Sequence, residues 1–229
     1  MGPIVLEGGA EFGGLMAQVD LRALELAGGP AARLSIIPAA AAPDHNHQQA
    51  GENGLRWFRS LGATQATALP LIDQKSANNP ELAEWLGNSG LIYLLGGFPD
   101  YLAQTLADSL CWKAILTAHQ GGAVIAGSSA GAMVLCESFY DPATRSLKKG
   151  LALLSQACVL PHHNTFGKNQ ARRMADQNPD ILFIGIDEET GLINEGPQGQ
   201  WKIYGKGSVT LYHGHRFECY RTGEVAKFF

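Results

Sequence analysis

Residues 124–135 read VIAGSSAGAMVL, an apolar run that becomes helix-like at two adjacent serines set between glycines. Gly127-Ser128-Ser129-Ala130-Gly131 fits G-x-S-x-G, the strand-to-helix turn that lifts a serine clear of a sheet. The residues two before and two after such a serine crowd together, so they must be small. Centring on Ser129 puts Gly127 and Gly131 there, whereas centring on Ser128 puts Ala126 and Ala130 there, a poorer fit. Ser129 is therefore the candidate nucleophile. It would start a helix, with the Ala130 amide aimed where an oxyanion forms and the helix dipole adding to the field. The plainer reading of the same residues is a glycine-rich turn with Ser129 as an N-cap.

Outward from this turn, short apolar runs alternate with helix-length amphipathic segments over the first 140 residues. Strands are expected at PIVLEGG (3–9), ARLSIIPAA (32–40), ATALPLI (66–72), LIYLLGG (91–97) and AVIAGSS (123–129). Helices are expected at 15–28, at 47–63 ending near Gly62, at 78–90 and across 100–122 as one long element. Asn before Pro80 and the later Gly90 give the third helix its start and stop. This alternation predicts an α/β fold, a mostly parallel doubly wound sheet flanked by helices. Sites in such sheets lie beyond the carboxyl ends of the strands, where EGG, LLGG and AGSSAG fall.

After residue 140 the texture changes. LALLSQACVLPHHNTFG (151–167) leads to a helix near 169–177, then to strands in ILFIGIDEETGLI (181–193) and WKIYGKGSVTLYH (201–213). This tail reads as an antiparallel extension of the same sheet, so residues 1–229 form a single domain. AAAAPDHNHQQ (39–49) reads as a mobile loop.

Composition narrows the function classes. With 45% hydrophobic and 17% charged residues the chain is globular rather than disordered. A net charge of −4 with no basic stripe gives no support for nucleic acid or anionic membranes as partners. The N-terminus lacks a signal-peptide pattern, no apolar run reaches bilayer length, and the scattered Cys111, Cys136, Cys158 and Cys219 read as reduced thiols. A cytoplasmic location is the expectation.

A nucleophilic serine needs a base, and the base needs an orienting acid. LPHHNTFG offers His162 and His163, and FIGIDEETG offers Asp187, Glu188 and Glu189, each just after an apolar run. One surface histidine or one acidic turn means little, but three such elements at successive strand ends converge. The order serine, histidine, acid differs from the Ser…Asp/Glu…His order of α/β-hydrolases and disfavours an esterase of that fold.

On these residues the sequence resembles the cyanophycinase and aspartyl-dipeptidase (dipeptidase E) family of serine peptidases, which share the class I glutamine amidotransferase-like fold. The matching pieces are EGGAE after the first strand, LLGG after the fourth, AGSSAGA at the elbow, PHH, and GIDEETG, spanning residues 4 to 194. The resemblance implies Ser129 as nucleophile, His162 (after Pro161) as general base, Glu188 as the orienting acid, and the Gly97 and Ala130 amides as oxyanion hole. His163 stands where the family usually has Phe. After the glycine pair this chain has Phe98-Pro99-Asp100 where cyanophycinases have Asp-Gln. Phe98, Asp100, Ser128 and His163 are the candidate substrate-binding residues. The implied activity is cleavage of small peptides, aspartyl-containing or cyanophycin-like, in a homodimer.

The alternatives are a non-catalytic binding or sensory module on this scaffold and a thiol amidotransferase. The related amidotransferases carry cysteine in the elbow, and Cys136 lies about two helical turns beyond Ser129. Acyl transfer to water by these groups requires no cofactor and no metal. Asp44, His45 and His47 lack a further ligand at useful spacing and read as loop. Arg172 and Arg173 could meet a substrate carboxylate, but a solvated helix face is the plainer reading. Trp57, Trp85 and Trp112 fall in helical patterns and read as packing.

Overall fold

In the computed structural model, which describes residues 1–165, 168–196 and 200–228, five strands form the parallel part of an eight-stranded sheet. They are β1 (Ile4–Glu7), β2 (Arg33–Ile37), β3 (Gln65–Ala68), β4 (Leu91–Leu94) and β5 (Val124–Ser128). β1, β2, β4 and β5 are nearly all buried residues, as expected where helices cover both faces, while β3, at the sheet edge, buries only Ala66. Period-two alternation splits them between two apolar clusters. Ile4, Leu6, Ile92, Leu94 and Ile125 join one, and Val5, Leu91, Tyr93, Val124 and Ala126 the other.

Helices α1 (Met16–Leu26) and α2 (His47–Ser60) cover the second cluster; α3 (Gln74–Ala77) to α7 (Ala130–Leu135) lie with the first. The helix expected across 100–122 is two helices, α5 (Pro99–Leu106) and α6 (Leu110–Gln120). Asp108 takes φ +58°, and the Ser109 side chain caps α6 by accepting from the Trp112 amide. Residues 39–41, expected in a mobile loop, instead form a buried 3₁₀ turn.

The tail only partly extends the main sheet. Strands β10 (Thr190–Ile193), β11 (Gln200–Gly205) and β14 (Val225–Lys227) add to it antiparallel beside β1. The main-sheet order is β14-β11-β10-β1-β5-β4-β2-β3. Strands β8 (Ala157–Leu160), β9 (Leu182–Ile186), β12 (Ser208–His213) and β13 (Arg216–Arg221) form a second sheet, and β6 (Ser138–Asp141) pairs with β7 (Ser146–Lys149) as a hairpin. The stretches 181–193 and 201–213 therefore each switch sheets midway. Local periodicity cannot register that switch, because both halves are buried strands. Helix α8 (Lys168–Gln177) covers the second sheet through Cys158, Ala171, Ala175, Phe183 and Tyr212.

Candidate active site

The elbow forms because its flanking residues have no side chains. A β-carbon on Gly127 would lie 2.5 Å from the Gly131 carbonyl carbon, so the strand and helix could not close over each other. Ser129 takes φ 48°, ψ −113°, a conformation non-glycine residues seldom adopt. Its amide is fixed to the Glu7 carbonyl at 3.0 Å, tying the turn to the end of β1.

Three segments meet here. Ser129 Oγ is 2.9 Å from His162 Nε2, and His162 Nδ1 is 2.9 Å from Glu188 Oε1. His162 follows β8 and takes φ +50°, with its amide donating to the Gly8 carbonyl at 2.7 Å. Glu188 lies between β9 and β10, at the sheet switch, and its amide donates to Asn164 Oδ1 at 3.0 Å. A carboxylate on Nδ1 fixes the tautomer that leaves Nε2 able to accept the serine proton.

The Gly97 and Ala130 amides make no hydrogen bond among the described residues, whereas the next amide along from Gly97, that of Phe98, donates to the Ala40 carbonyl at 2.8 Å. Gly97 sits beyond β4 and Ala130 opens α7, so both donors flank Ser129 at strand ends.

A cavity of about 590 Å³ opens over Ser129 and His162. Its walls are mostly apolar, with Met133, Tyr140, Leu160 and Met174, and Arg145 carries the charge at its edge. Of the four candidate substrate-binding residues, only His163 reaches it. Ser128 is fully buried with its hydroxyl donating to Glu11 at 3.2 Å, and Phe98 and Asp100 lie outside the lining. Asp100 is instead ion-paired with Lys148 at 3.0 Å. These three side chains faced other ways because residue spacing fixes position along the chain, not the direction a loop gives each side chain.

The residues next to His162 and Glu188 also pair. His163 is 2% exposed, its Nε2 lies 2.9 Å from Tyr212 Oη, and its Nδ1 is 3.4 Å from Asp187 Oδ1. Burial pushes the His163 imidazole below its ordinary range despite Asp187, so it is held neutral. Glu189 turns away toward Lys206 at 3.5 Å. Cys136 is wholly buried, and desolvation pushes its thiol up to about 12. Arg172 stacks over Phe217 at 4.3 Å, away from the cavity lining.

Beneath the elbow lies a polar group that sequence reading passed over. Glu7 and Asp20 are fully buried; Tyr93 Oη donates to Glu7, and Trp57 Nε1 to Asp20 at 2.7 Å. Glu7 Oε1 and Asp20 Oδ1 have no donor, the condition a proton held between the two carboxyls relieves. Burial first, and the neighbouring Asp20 next, push Glu7 up; burial also raises Asp20 to about 7. The signal was visible: an acid in the apolar run PIVLE. Among the described residues no group of three or more His, Cys, Asp or Glu side chains is arranged to hold a metal.

Together these features define an α/β protein whose parallel sheet ends in a strand–turn–helix serine with a histidine and a carboxylate in line. The chain belongs to peptidase family S51, whose model matches residues 4–201. It is 29% identical over 196 residues to the cyanophycinases of Trichormus variabilis and a Nostoc species. Those alignments cover 81% of this chain, which spans 64% of each relative's length. It is 26% identical over 234 residues to the cyanophycinase of Geminocystis herdmanii, covering 97% of this chain and 85% of that one. The crystal structure of a peptidase from an acI-B1 Actinobacterium superposes with a TM-score of 0.88 at 28% identity, over 100% of this chain and 97% of that one.

Proposed function

We propose that the protein is a serine peptidase acting on small peptides. The observation that carries this reading is the unbroken line Ser129–His162–Glu188, with both contacts at 2.9 Å, at the mouth of the cavity. Ser129 Oγ attacks the scissile carbonyl carbon as its proton passes to Nε2 of neutral His162. Glu188 stabilises the imidazolium through Nδ1–H, and the Gly97 and Ala130 amides take the oxyanion. Collapse of the tetrahedral centre breaks the C–N bond, His162 returns the proton to the leaving amine, and water repeats the sequence on the acyl-enzyme.

A cavity of this size suits a di- or tripeptide. Aspartyl peptides are the first substrates to test, because the relatives above are named cyanophycinases; Phe98 and Pro99 in place of Asp-Gln argue against an identical pocket. We take residues 1–229 as one domain, supported by a core cluster that joins residues of both sheets, Ile4 and Leu192 with Val159 and Val209. The four free thiols fit the cytoplasm, a homodimer is the assembly to test, and among the described residues no helix is long and apolar enough to cross a membrane.

A fluorophosphonate probe should label the wild-type protein at Ser129 and leave Ser129→Ala unlabelled. Absence of both labelling and dipeptide cleavage in the folded protein would remove this reading and favour a binding module.

A further inference from the structure

We propose that Arg145 selects the substrate of this site, its guanidinium taking a carboxylate on the peptide seated in the cavity. This inference rests on the peptidase reading above. Arg145 ends the four-residue turn between β6 and β7 and lines the same cavity as Ser129 and His162. The turn is fixed from below: Asp141 accepts the Ala143 amide at 3.0 Å and the Thr144 hydroxyl at 2.9 Å. Arg145 itself takes φ +54°, so the stem of the side chain leaves a defined bend.

The charge is uncompensated. Asp141, the acid nearest in sequence, is bound with Asp100 by Lys148, at 2.7 and 3.0 Å. Lys148 holds the Asp141 carboxyl below its usual range, so that acid stays a committed anion. Arg145 has no hydrogen-bond or ion-pair partner among the described residues, and no Asp or Glu lines the cavity. A basic substrate side chain would find no counter-charge there, whereas a carboxylate would find a planar double donor beside apolar walls. In the free protein Arg145 is exposed, and water screens it. Its selectivity appears once a peptide fills the cavity and excludes that water. Arg172 and Arg173 do not line the cavity, and Arg172 is stacked over Phe217.

The test is calorimetric binding to Ser129→Ala protein, which needs no turnover. Aspartyl and asparaginyl dipeptides of otherwise identical sequence are compared, each as free acid and as C-terminal amide. At least one acid-for-amide exchange should weaken binding ~10–100-fold, the range of a hydrogen-bonded charge pair, and identify which carboxylate is read. Adding Arg145→Gln should erase that difference, and Arg145→Lys should restore part of it. Equal affinities in both exchanges, or a preference that survives Arg145→Gln in a protein of unchanged melting temperature, would overturn the proposal. Hydrolysis by the wild-type protein, scored in parallel, reports on the peptidase reading separately.

Discussion

Gly9 and His162 are in close contact: a β-carbon built on Gly9 would lie 2.2 Å from Cε1 of the imidazole. The loop after β1 is thus the floor on which the ring rests, and Gly9 takes φ +107°, in the region that favours glycine. Gly9→Ala should displace the ring from Ser129. A misplacement of about 1 Å costs roughly 10²-fold in rate. We expect kcat/KM to fall by that order, with fluorophosphonate labelling slowed in parallel; unaltered labelling would separate the ring's position from reactivity.

Glu188 and Glu189 are neighbours with different partners. Of these two, Glu188 is the one that reaches His162 Nδ1, and its side chain is 37% exposed, so solvent tempers its field. Glu188→Gln should lower kcat by about 10²–10⁴-fold, the upper bound being set by triads with a buried acid. Glu189→Gln should change it by less than about threefold, because its partner is the exposed Lys206 and such pairs contribute little. Steady-state kinetics of the two variants decide between them.

His163→Phe should remain labelled by a fluorophosphonate, since the His163 ring faces Tyr212 and Asp187 rather than Ser129. His162→Ala should not. The Phe variant leaves the buried Tyr212 hydroxyl without its His163 partner, at a cost of about 1–3 kcal/mol, readable by urea denaturation. The imidazole is lowered in the fold relative to its unfolded value. Its contribution to stability is therefore present above the unfolded value of about 6.5 and is lost as pH falls; His163→Phe should flatten that acid-side loss.

Glu7 and Asp20 impose the opposite slope. Burial raises Asp20 from 3.8 to about 7, so the fold binds a proton that the unfolded chain has released. The associated stability is full below pH 3.8 and declines as pH rises to about 7. Asp20→Asn mimics the protonated carboxyl and keeps an acceptor for Trp57. Melting temperatures between pH 4 and 8 should show a shallower decline in Asp20→Asn than in the parent, and an identical decline would place the proton elsewhere.

The parallel half of the fold and the position of Ser129 were legible because both are local. A buried parallel strand is a continuous apolar run, and an elbow needs small residues at fixed offsets, so Gly127 and Gly131 choose Ser129 over Ser128. The break at Asp108, the second sheet and the role of Arg145 were not legible. Each depends on which distant segment lies alongside: Ser109 caps a helix only because the chain has already turned, and β9 and β10 part company inside one apolar stretch.

By itself the sequence determined the reactive types and their places in the chain: a serine in a tight turn, two histidines after one apolar run, three acids after another. Spacing alone could not choose among the adjacent histidines or acids, where the resemblance pointed to His162 and Glu188, because adjacent residues at a strand end point to opposite sides and only the packed neighbours reveal which side faces the serine. Tertiary structure decided that: Gly9 receives the His162 ring and Tyr212 meets that of His163, so one imidazole is turned to Ser129 and the other into the core.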